Sequence, residues 1–96
     1  MTADALFQKA LLLLDRGDLN RGEEVLRNAL EKARDSGDAT TEGRALCCLG
    51  DLLVQQGRNE EAHGHLSAML ALPVTDDVLD FERNEAARLL DEIGSA

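Results

Sequence analysis

Apolar residues recur three and four positions apart along most of the 96-residue chain, the spacing that places them on one face of an α-helix. Leu6, Ala10, Leu13 and Leu14 predict a first helix, stopped at Arg16-Gly17-Asp18. Val25, Leu26, Ala29, Leu30 and Ala33 predict a second. Asn20 is its expected cap, with Glu23 in capping-box position, and Asp35-Ser36-Gly37-Asp38 breaks it. A third helix starts near Ala39–Thr41, carries Ala45, Leu46, Leu49, Leu52 and Leu53, and ends at Gly57. Asn59 is expected to cap a fourth, whose early Glu60 and Glu61 suit a helix N-terminus and whose stripe is Ala62, Leu66, Met69 and Leu70. Pro73 ends it. A fifth helix is predicted from Thr75 or Asp76 through Val78, Ala86, Leu89, Leu90 and Ile93, with Gly94 as its stop.

The pattern repeats. Displacing the chain by 40 residues puts Leu6 on Leu46, Ala10 on Gly50, Leu13 on Leu53 and Gly17 on Gly57. Gly22 then falls on Ala62, Leu26 on Leu66 and Leu30 on Leu70, and Leu46, Leu49 and Leu53 fall on Ala86, Leu89 and Ile93. Small residues meet small ones where two helices must approach closely. The repeating unit is therefore a helix pair, and the fifth helix begins a truncated third unit.

Composition narrows the class. The formal net charge is −9, only Phe7 and Phe81 are aromatic, and 44% of residues are hydrophobic. A basic face able to displace counterions from nucleic acid is missing, as are stacking aromatics. Few β-branched and aromatic residues argue against sheets, and the apolar content argues against disorder. The longest apolar run, Ala10–Leu14, falls far short of the ~20 residues that span a bilayer. Adjacent Cys47 and Cys48 form no disulfide framework, and the start lacks a basic signal-peptide region. The expected setting is cytoplasmic, with neither membrane nor nucleic acid as partner.

The second unit has the residue spacing of a tetratricopeptide repeat (TPR). Leu46, Leu49-Gly50, Leu53, Gly57, Ala62, Leu66 and Met69 fall at that family's signature positions, and the chain resembles it over nearly its whole length. The first unit fits through Gly17-Asp18-Leu19 and Ala29-Leu30, with Lys9-Ala10 replacing the usual Leu-Gly. The 40-residue step exceeds the standard period of about 34. It resembles that of longer-helix members among bacterial regulators and G-protein regulators of cell division. The resemblance implies an all-α solenoid of helical hairpins with a right-handed twist: repeat 1 over 3–38, repeat 2 over 39–74 and a capping helix over 75–94.

It also implies binding of a protein or peptide on a concave face lined by the first helix of each pair, without catalysis or cofactor. Position by position, that face takes Asp4, Phe7, Gln8, Leu11, Leu14 and Asp15 from unit one, and Arg44, Cys47, Cys48, Asp51, Val54 and Gln55 from unit two. Asn84, Ala87, Arg88 and Asp91 come from the cap. The expected contacts are Phe7, Leu11, Leu14, Arg44, Asp51, Val54, Gln55 and Arg88. A clamp for chaperone C-termini is not expected, because Phe7, Leu11, Cys48 and Asn84 stand where that subgroup has Lys or Asn. Phe7, Leu11 and Leu14 share one helix face and suit a groove wall, with Phe7 the one aromatic placed to reach it; the same stripe also suits packing against the third helix.

Two alternatives share these residues. With Leu12 added the first helix is apolar almost all round, so a homodimer through it is one. A small regulator acting by occlusion is the other. The N-terminal helix lacks a polar coat, whereas residues 76–96 carry −5 of the net charge and form a solubilising end cap. No catalytic residues are expected. His63 and His65 point about 200° apart on a helix, no zinc-ligand spacing occurs, and Asp76, Asp77 and Asp80 suit a solvated helix start.

Overall fold

The computed structural model describes residues 1–74 and 76–94. These form five α-helices, α1 (Ala3–Asp15), α2 (Leu19–Ser36), α3 (Ala39–Gln55), α4 (Asn59–Leu70) and α5 (Asp80–Gly94), with a 3-10 turn at Asp77–Leu79. No strand occurs among the described residues, so the all-α expectation holds. The predicted start at Thr75 lies outside them. Helix α5 begins later than expected, because the 3-10 turn intervenes.

The first three turns between helices share one chemistry. Gly17, Gly37 and Gly57 each have positive φ, which glycine adopts without a Cβ clash. After α1, Gly17 N–H donates to the Leu14 carbonyl and Asp18 N–H to that of Leu13. After α3, Gly57 donates to Val54 and Arg58 to Leu53, the same bonds forty residues on. Gly37 and Asp38 close α2 on Arg34 and Ala33. These Schellman turns satisfy carbonyls that a helix end leaves open.

The residue after each glycine also opens the next helix. The Asp18 carboxylate accepts from Arg21 N–H at 3.3 Å, and the Asp38 carboxylate from Thr41 N–H at 3.1 Å. Asn20, the expected cap, lies inside α2 instead. Asn59 is likewise the first residue of α4, preceded by Arg58, and among the described residues no side chain caps that helix.

The molecule measures 39 × 33 × 18 Å, about two helix diameters thick. Helix α3 is central, packing against α1, α2, α4 and α5. Two glycines set the closest crossings. A Cβ on Gly22 would lie 2.5 Å from a Leu14 methyl, and one on Gly50 would lie 2.4 Å from a Leu66 methyl. Leu26, Leu46, Leu49, Leu53, Leu66 and Met69 fill the core.

Leu79 is also fully buried. It plugs the space over Gly43, where a Cβ would come within 2.6 Å of it. Arg83 fastens the connection by donating to the Val74 and Asp76 carbonyls. Helices α2 and α4 are tied by side chains: Glu23 accepts from Arg27 at 2.9 Å and from Arg58 at 2.7 Å, and Arg58 also pairs with Glu61 at 2.7 Å.

Candidate functional site

Helices α1 and α3 touch each other only narrowly, and α5 packs along the other side of α3. Between the three lies an open cavity of about 410 Å³, lined by Phe7, Leu11, Arg44, Cys47, Cys48, Asp51, Phe81, Glu82 and Glu85. Helical spacing produces this lining: Phe7 and Leu11 are one turn apart, as are Arg44, Cys48 and Asp51, and Phe81 and Glu85. A smaller cavity of about 160 Å³ continues along α3, lined by Leu14, Leu19, Cys48, Asp51, Leu52 and Gln55. Cys48 and Asp51 line both, so the two cavities adjoin along α3.

Phe7, Leu11, Arg44 and Asp51 line the main cavity, and Leu14, Asp51 and Gln55 the smaller one. Two other expected contacts do not line either. Val54 packs against the core from α3. Arg88 pairs with Glu85 at 2.9 Å and with Glu92 at 3.0 Å and also acts on Asp51 through its charge, so it stands beside the groove without lining it.

Phe7 is 8% exposed and belongs to the core, whereas Phe81 is 70% exposed on the rim. Both aromatics line the cavity, Phe7 from the core and Phe81 at the rim, so the expectation that Phe7 is the one aromatic to reach it is corrected. Phe81, Glu82 and Glu85 escaped the sequence reading, because transposition by forty residues assigned Asn84, Ala87, Arg88 and Asp91 to this face. A signal was present: Phe81 lies outside the apolar stripe of Ala86, Leu89, Leu90 and Ile93, so helix α5 cannot bury it together with them.

Both thiols are free. Burial, reinforced by Glu82, Glu85 and Asp51, pushes the Cys47 thiol up to about 12. Burial and Asp51 push Cys48 up to about 11. The ion pairs among the described residues leave out Arg44, Asp51 and Glu82.

The opposite side carries a cavity of about 320 Å³ between α2 and α4, lined by Arg27, Leu30, Glu31, Arg34, Asp35 and His65. Burial, with Arg27 and Arg34 nearby, holds His65 below its ordinary value. Among the described residues no three His, Cys, Asp or Glu side chains converge as a metal site. No helix there is long and apolar enough to cross a membrane.

No family model, curated protein or solved structure matches this chain.

Proposed function

We propose that the chain is a TPR-like protein-interaction module, non-catalytic and cytoplasmic, whose α1–α3–α5 groove receives a peptide or helix from a partner protein. The observation that carries this reading is the open cavity with an apolar floor of Phe7, Leu11 and Cys47 and an exposed aromatic, Phe81, on its rim. Folding leaves that ring in water, and burying an aromatic side chain is a large favourable term in association. The repeat reading is supported by identical turn bonds forty residues apart and by the glycine crossings at Gly22 and Gly50.

A homodimer through α1 is the second reading, favoured by one observation: Leu12 is 57% exposed on the outer face of α1. Around it, however, Asp4, Gln8, Lys9 and Asp15 are exposed as well, so that face has the polar coat the sequence reading denied it.

Photo-cross-linking in the cells that make the protein separates the two. A benzoylphenylalanine at position 81 is expected to capture a foreign protein, and one at position 12 to capture none. Cross-links from position 12 to a second copy, with none from position 81, overturn the groove reading.

A further inference from the structure

We infer that the occupant of this groove is an amphipathic segment of a partner protein in which lysine or arginine is interleaved between apolar side chains. The inference rests on the groove reading and specifies its chemistry.

The groove combines apolar and acidic walls. Phe7, Leu11 and Phe81 line the main cavity beside Glu82 and Glu85, Leu14, Leu19 and Leu52 line the smaller one, and Asp51 stands on the wall common to both. A ligand anchored in both cavities by apolar side chains must present something to Asp51. A desolvated carboxylate without a cation is costly, so a basic group is the fitting complement.

The surrounding charge agrees. Asp51, Glu82 and Glu85 line the main cavity against Arg44 alone. Arg88 is shared among Glu85, Glu92 and, through its charge, Asp51, which still leaves four carboxylates against two guanidinium groups and that cluster negative. The buried thiol of Cys47 senses the same field: Glu82, Glu85 and Asp51 all act on it in the direction of added negative charge. A second copy of the chain, itself at −9, is a poor electrostatic match for such a groove, whereas a basic segment is steered toward it.

The test uses three amphipathic helical peptides with the same leucine positions and lysine, glutamine or glutamate at the interleaved ones. Binding to the full chain is measured by calorimetry at low and high salt. The lysine peptide is expected to bind at least about tenfold more tightly than the glutamate peptide, with the gap narrowing as salt rises. Asp51→Asn with Glu82→Gln should remove the preference. Glu24→Gln with Glu60→Gln changes net charge equally but away from the groove, and should retain it.

Equal binding of all three peptides, weakened by Phe81→Ala, would leave the groove reading standing and overturn the basic partner. Equal loss of preference in both double variants would overturn it too, by tracing the effect to net charge. Binding of none of the three would sink both.

Discussion

A methyl group added at Gly50 would sit 2.4 Å from a side-chain carbon of Leu66, itself fully buried, whereas one added at Gly64 would meet no atom within 4 Å. Gly50→Ala therefore forces the α3–α4 crossing apart and is expected to cost about 1–3 kcal/mol. Gly64→Ala removes a flexible residue from an exposed helix interior and is expected to gain up to about 1 kcal/mol. Urea unfolding followed by circular dichroism measures both, and changes of the same sign would contradict the packing described. Phe81→Ala, removing a ring that is largely in water, is expected to stay within about 0.5 kcal/mol of the parent by the same measurement. The thiols offer a further check. With Cys48 raised to about 11 and Cys47 to about 12, little reactive thiolate exists near neutral pH. Iodoacetamide labelling of the folded chain should run roughly a hundredfold slower than that of the urea-unfolded chain. Comparable rates would mean that the groove floor is open to water.

Between helices, a two-residue junction does most of the specifying. Gly17-Asp18 and Gly37-Asp38 each close one helix with the glycine and open the next with the aspartate. The glycine stops were legible in the sequence, but the caps were misassigned to Asn20 and Asn59. The Schellman bond explains the error. It commits the residue directly after glycine to the preceding helix, so the next helix starts at once and that same residue becomes its cap. Asp38→Ala is expected to cost about 1 kcal/mol in thermal or urea unfolding at neutral pH. At the third junction Arg58 stands in the aspartate's place and bridges to Glu23 on α2 instead. Arg58's hydrogen bond, aided by Arg27, holds the Glu23 carboxyl below its ordinary 4.5 despite burial. A lowered folded-state value means that its stabilisation is fully present above pH 4.5 and lost as pH falls through the folded value. Glu23→Gln should therefore cost stability at pH 7, and that difference should fade in titrations taken well below pH 4.5. A difference independent of pH would place the effect in packing rather than in the ion pair.

Over the whole molecule, helix count, turn positions and core were legible because a 3.6-residue apolar period and glycine stops dictate them locally. The groove was legible on α1 and α3, where Phe7, Leu11, Leu14, Arg44, Asp51 and Gln55 fall on its lining. It was not legible on α5. Transposition by forty residues has α5 present the same side as α3, but the 3-10 turn at Asp77–Leu79 and the Leu79 plug over Gly43 seat the helix with Phe81, Glu82 and Glu85 along the cavity rim. That is a tertiary constraint without a periodic signature. The same packing places Leu6, Phe7, Ala10 and Leu13 against the interior, so a helix that reads as apolar all round leaves Leu11 and Leu14 on the cavities and Leu12 on its outer face. The most direct measurement of the groove as the interaction surface is a titration of isotope-labelled chain with the lysine-bearing peptide, followed residue by residue by NMR. The largest shift changes are expected on Leu11, Cys48, Asp51 and Phe81, while Arg27 and His65, which line the α2–α4 cavity, stay still. Changes centred on Arg27 and His65, or spread evenly between these two sets, would contradict the groove as the interaction surface.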